Sequence, residues 1–162
     1  MPQVLDVLAG STWGEARSIH FCNTYSLSLV DRDPELRSAL ARSSMVVPDG
    51  WPLSFVGRIL RVPGHAGRVP GPDAFQAALD HELVAGKRHV LFCATLEVLA
   101  DLRRIIESHH PKANIVGAYA PPFGGLAAIL ADRSIHDVCA EKPDIVWVGL
   151  GTPLQDKFLG AA

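Results

Sequence analysis

At 162 residues the chain suits one domain of ordinary size, and with 48% hydrophobic and 20% charged residues it has the composition of a sequence that folds. A formal net charge of −2 and a pI near 6.4 exclude a general attraction for nucleic acid, so any anion site is local. Cys22, Cys93 and Cys139 are odd in number and scattered through apolar segments, which excludes a disulfide framework and points to the cytoplasm; no leader pattern opens the chain, and no run approaches the ~18 apolar residues of a membrane span.

Along the chain, Ile19 to Cys22 and Met45 to Val47 are candidate strands. Between them a helix is expected from about Pro34 to Arg42, with Asp33 as N-cap and Pro34 in the first turn. Pro72 opens another helix, expected to run to about Ala85 and to close at Gly86. Three apolar runs follow: Arg88 to Cys93, Ala113 to Gly117 and Asp144 to Gly149. Between the first two, Leu96, Leu99, Leu102, Ile105 and Ile106 recur at helical spacing opposite Glu97, Asp101, Arg103 and Arg104, and His109 and His110 close that helix. Strands alternating with helices imply an α/β fold with a parallel sheet flanked by helices, as one domain over residues 1–162. The Gly- and Pro-rich stretches at 62–72 and 121–125 are loops. A last helix is expected near Thr152.

In open α/β sheets ligands lie at the carboxyl ends of the strands. Three strand-to-turn junctions therefore mark a candidate cleft: Cys22-Asn23-Thr24, Val47-Pro48-Asp49-Gly50, and the run from Gly149 to Asp156. Asp49 could accept a proton from an attacking hydroxyl, while a Pro-Asp-Gly turn accounts for the same three residues structurally. Arg58, Arg61 and Arg68 offer guanidinium groups to a diphosphate; the first two read more simply as solvated loop arginines, whereas Arg68 precedes a helix N-terminus, itself favourable to anions. Gly149 and Gly151 let backbone amides approach a phosphate or sugar, although Thr152, Pro153 and Gln155 also read as a capping box. Neither the dinucleotide fingerprint nor the P-loop is present, and without H-E-x-x-H or C-x-x-C no metal site is indicated. Trp51 and Trp147 are most simply packing residues.

In order and spacing, Phe21-Cys22-Asn23, Val46 to Gly50, Arg68 to Asp73 and Asp144 to Asp156 resemble the WecG/TagA/CpsF family (glycosyltransferase family 26) over residues 18–158. The resemblance implies a Rossmann-like domain and a metal-independent, inverting transfer of a sugar of N-acetylmannosamine or glucose type. It also implies a UDP-sugar donor with no separate cofactor, and an undecaprenyl-diphosphate-linked acceptor at the inner face of the plasma membrane. Asp49 would be the general base; Asn23, Thr24, Gly50, Arg68, Gly71, Asp73, Gly149, Gly151, Pro153 and Gln155 would line the substrate pocket. Phe21 stands where many members carry Thr, and Asp156 where Glu is usual. The family pattern continues through a further strand and an arginine-bearing, membrane-attaching C-terminal segment, so a truncated, nucleotide-sugar-binding but inactive member is the alternative expectation. A homo-oligomer is left open.

Overall fold

The computed structural model describes residues 1–10, 17–62 and 67–161. The strands are β1 (Ile19–Cys22), β2 (Met45–Pro48), β3 (His89–Cys93), β4 (Ile115–Tyr119) and β5 (Ile145–Gly149). The helices are α1 (Pro2–Ala9), α2 (Thr24–Val30), α3 (Pro34–Arg42), α4 (Trp51–Ile59), α5 (Gly71–Asp80), α6 (Leu96–His109), α7 (Leu126–Leu130), α8 (Arg133–Ala140) and α9 (Leu154–Ala161). Among the described residues all pairing is parallel, as the strand-helix alternation predicts, but it falls into two sets: β1 with β2, and β4–β3–β5 with β3 central. Every residue of β3 is buried, the pattern of a parallel strand covered on both faces.

Local signals explain most of the elements. Asp33 accepts a hydrogen bond from the Leu36 amide at 3.1 Å, with Pro34 behind it, as the sequence predicts for α3. Thr95 does the same for α6 through the Val98 amide at 3.2 Å. In that helix only Leu99 and Ile106 of the expected stripe are buried, while Leu96 and Ile105 are exposed. At ~100° per residue these two lie on opposite shoulders of the stripe, roughly a quarter-turn from its centre. The expected helix from Pro72 to Ala85 is shorter: α5 starts at Gly71 and ends at Asp80, because His81 adopts an extended conformation. Val84 and Ala85 are buried all the same, carried inward by a turn in which both amides bond to the His81 carbonyl. β4 runs two residues past the expected Gly117, with a register shift beside His89 and Val90.

Among the described residues, three apolar clusters form the interior. One joins α1 and α5 to β2 and the start of β5; a second lies under α6; a third, built on Phe92, Ile129 and Phe158, lies beneath α7, α8 and α9. Helix α9 packs directly on α3. Gly160 makes this possible, since a side chain there would collide with Ala39. Lys157 bridges Asp33 at 2.6 Å and Glu35 at 3.2 Å, and Arg42 donates to the Gly160 carbonyl at 3.0 Å.

Candidate active site

The carboxyl ends of β1, β2 and β5 open on one cavity of about 490 Å³. Asn23, Asp49, Gly71, Gly149 and Gln155 of the predicted site residues line it, together with Phe21, Trp147, Thr152 and Asp156. Thr24, Gly50, Arg68, Asp73, Gly151 and Pro153 do not line it. Thr24 and Asp73 are exposed in the first turns of α2 and α5, outside the cavity lining. Gly50 caps α4, close enough to Asn23 that an added methyl would touch the Asn23 side chain at 3.5 Å.

Asp49 is held as more than a turn residue. Its amide donates to the Cys22 carbonyl at 2.8 Å, locking the end of β2 to the end of β1. Its carboxylate Oδ1 accepts from the Gly71 amide at 3.3 Å, at the start of α5, where the helix dipole favours negative charge. The Arg68 guanidinium Nε donates to the Asp49 backbone carbonyl at 3.0 Å, and Arg68 is otherwise exposed. Three segments far apart in sequence, after β1, after β2 and before α5, thus meet at Asp49. Asn23 is spent in part on structure: its Oδ1 caps α2 through the Ser26 amide at 3.0 Å in a reciprocal capping box.

The turn after β5 departs from the expected capping box. Helix α9 begins at Leu154 rather than Pro153, so Thr152 is not its N-cap. Gln155 Oε1 instead accepts from the Gly151 amide at 3.2 Å, closing the turn on itself. Gly151 has φ +81°, a left-handed conformation that favours glycine, which makes its role one of backbone shape. Arg58 lies on exposed α4 and Arg61 just beyond it, in keeping with their reading as solvated arginines. Trp51 does not pack into the interior as expected: it is 65% exposed and stacks on Phe55 at 5.1 Å. Trp147 does pack, edge-on to Phe75, and its Nε1 donates to His89 Nδ1 at 3.0 Å. His89 Nε2 in turn donates to the Val84 carbonyl at 2.9 Å, which fixes a neutral imidazole; burial holds its pKa below the usual value.

Sequence reasoning missed one pair. His20 on β1 and Asp156 on α9, both fully or almost fully buried, meet at 2.9 Å in the cavity wall. Their separation of 136 residues leaves no local signal. His20 Nε2 and Asp156 Oδ2 have no partner among the described residues.

Burial, followed by the charges of Asp156 and Asp49, pushes the Cys22 thiol up to about 12, and burial also raises Cys93. Such thiols stay protonated and inert, whereas Cys139 is exposed. Maleimide labelling of the native chain at pH 8 is therefore expected to give one adduct, on Cys139. Against an ordinary thiol near 9.0, Cys22 holds roughly a thousandfold less thiolate. Peptide mass mapping checks this, and rapid labelling of Cys22 would contradict the packing around it.

The sequence model described as Glycosyl transferase WecG/TagA/CpsF family matches residues 1–162. Among curated proteins, the N-acetylglucosaminyldiphosphoundecaprenol N-acetyl-beta-D-mannosaminyltransferase of Bacillus spizizenii is 27% identical over 128 residues, 79% of this chain and 48% of that protein. The protein of the same name from Bacillus subtilis strain 168 is 27% identical over 130 residues, with the same coverage. The chain thus spans about half the length of these relatives.

Proposed function

From its membership in the WecG/TagA/CpsF glycosyl transferase family, to which this chain belongs, we propose that it moves a sugar from a UDP-sugar to an undecaprenyl-diphosphate-linked acceptor. The transfer inverts the anomeric carbon and needs no metal; an N-acetylmannosamine-type donor follows the names of the relatives. The observation that carries this reading is the seating of Asp49: a carboxylate in the cavity lining that accepts from the Gly71 amide, on a residue whose backbone carbonyl is bonded by Arg68. Asp49 takes the proton of the acceptor hydroxyl as that oxygen bonds to the anomeric carbon. The bond from that carbon to the diphosphate breaks, and UDP leaves with the electron pair. The exposed tip of Arg68 and the α5 N-terminus stabilise the departing negative charge. No helix among the described residues is long and apolar enough to cross a membrane, so the reading places the protein peripherally at the inner membrane face, where a lipid-linked acceptor is presented.

The chain incubated with UDP-N-acetylmannosamine or UDP-glucose and a lipid-diphosphate-N-acetylglucosamine analogue is expected to elongate the lipid, read by mass spectrometry. Saturable UDP binding by calorimetry without elongation would replace the transferase reading by that of a nucleotide-sugar-binding protein. Arg68→Ala is expected to weaken UDP binding about tenfold, the loss of one charge-assisted hydrogen bond of ~1.5 kcal/mol. Unchanged binding would move the diphosphate away from α5.

A further inference from the structure

Helix α4 presents its apolar side outward, the reverse of an ordinary surface helix. Its three half-buried residues, Leu53, Ser54 and Gly57, lie within ~100° of one another, and no residue of the helix is buried. The opposite side is open to solvent: Trp51, Phe55, Val56, Ile59 and the capping Leu60 are all exposed, Ile59 at 62% and Leu60 at 68%. At ~100° per residue, Trp51, Phe55 and Ile59 form one stripe ~80° wide, which Val56 and Leu60 extend to about half the helix circumference. A contiguous exposed apolar face marks an interaction site, whereas single exposed apolar residues do not. Leu96 and Ile105 of α6 are of the second kind, shoulders of a stripe whose centre is buried.

The charges beside this face identify what it meets. Arg58 falls ~20° beyond Trp51 at the edge of the stripe, and Arg61 follows the helix end; both are exposed. Arg61 holds φ 50°, the left-handed position that ends a helix and favours glycine, and the Val62 amide closes that turn on the Gly57 carbonyl at 3.0 Å. Between Asp49 and Asp73 the sequence holds three arginines and no acidic residue. A second copy of this face would bring the same arginines and no carboxylate, so it would repel where a surface of anionic lipid attracts. Trp51 stacked on Phe55, aliphatic neighbours and flanking arginines are the composition of a helix lying in a bilayer interface. At nine residues and ~13.5 Å, α4 is too short to cross a bilayer and suits that interface.

We propose that α4 is a lipid-docking helix: its Trp51, Phe55 and Ile59 stripe lies at the headgroup–acyl boundary of an anionic bilayer while Arg58 and Arg61 meet the lipid phosphates. This attachment is separate from the C-terminal segment that the family resemblance implies. Its place in the fold gives it a consequence. Helix α4 starts from Gly50, directly after Asp49 and against Asn23, so lipid held by α4 lies next to the rim of the cavity. On the same rim the first turn of α2 exposes Tyr25, a residue type at home in the interface. The docking does not rest on the transferase reading; combined with it, it brings Asp49 to the membrane that carries the acceptor.

Co-sedimentation of the full chain with vesicles tests this, without donor or acceptor, using phosphatidylcholine alone or equimolar with phosphatidylglycerol. The chain is expected to bind the anionic vesicles, with Trp51 fluorescence shifted to shorter wavelength and quenched by lipids brominated high in the acyl chain. Trp51→Phe removes both signals. Phe55→Ser/Ile59→Ser is expected to weaken binding at least ~10-fold with little change in melting temperature, since both side chains already face water. Arg58→Gln/Arg61→Gln is expected to weaken it ~30-fold on anionic vesicles, about fivefold per arginine, and not on neutral ones. Leu96→Ser/Ile105→Ser on α6 controls for indiscriminate sticking and leaves binding unchanged. No binding, binding that survives the α4 changes, or an equal loss from the α6 change overturns the proposal. So does self-association through α4 in lipid-free ultracentrifugation with vesicles ignored, which would make a second copy the occupant. Transfer to a water-soluble acceptor analogue without vesicle binding would refute the docking alone; vesicle binding without transfer would refute the transferase reading alone.

Discussion

Replacing Asp49 with Asn is expected to lower the rate of sugar transfer by a factor of ~10²–10⁴, the usual contribution of a positioned general base. The substitution isolates charge from structure. Asn keeps an oxygen that can accept from the Gly71 amide, and the amide and carbonyl of residue 49 still bind Cys22 and Arg68, so the junction of β1, β2 and α5 stays closed. What disappears is the capacity to take a proton at neutral pH. With Asp49 acting on the acceptor hydroxyl, as proposed, the loss is expected to fall on kcat, while UDP affinity and melting temperature stay near those of the parent. Steady-state kinetics, calorimetry and a thermal melt on the same preparation separate the effects. Transfer within about threefold of the parent would remove Asp49 from the chemistry and leave it a structural clamp.

The second large effect is expected at the buried His20–Asp156 pair. Asp156→Ala strips the buried His20 of its hydrogen-bond partner, and removing one member of a buried pair typically costs about 3–5 kcal/mol. The pair also ties the first turn of α9 to β1, so the loss is felt where α9 crosses the cavity. For a chain of this size that corresponds to a fall in melting temperature of roughly 10 °C. The double variant His20→Leu/Asp156→Leu is expected to recover part of the loss, since an apolar pair leaves no orphaned polar group. Denaturant unfolding of both single variants and the double one measures the coupling, and a cost below ~1 kcal/mol for Asp156→Ala would show the pair to be idle.

Much of the scaffold was legible in the sequence because its causes are local. Asp33 and Pro34 start α3 by chemistry confined to one helical turn, and the run from His89 to Cys93 declares a covered strand by being apolar throughout. The expected end of α5 at Ala85 failed for an equally local reason read too simply: Val84 and Ala85 keep their burial through a turn, and periodicity does not distinguish that from a helix. Leu96 and Ile105 failed because an apolar residue on the shoulder of a helix is hydrophobic without being buried.

The sequence by itself determined the α/β class, the parallel strands, and the junctions after β1, β2 and β5 from which the site is built, all of them consequences of neighbours in the chain. Only the tertiary structure decided which of those junction residues converge. It brought Asp49, Gly71 and Arg68 together by hydrogen bonds across about twenty residues, and left Thr24 and Asp73 exposed outside the cavity lining. It also revealed His20 beside Asp156. Such contacts depend on how whole elements are stacked, and no residue type or spacing along the chain records that.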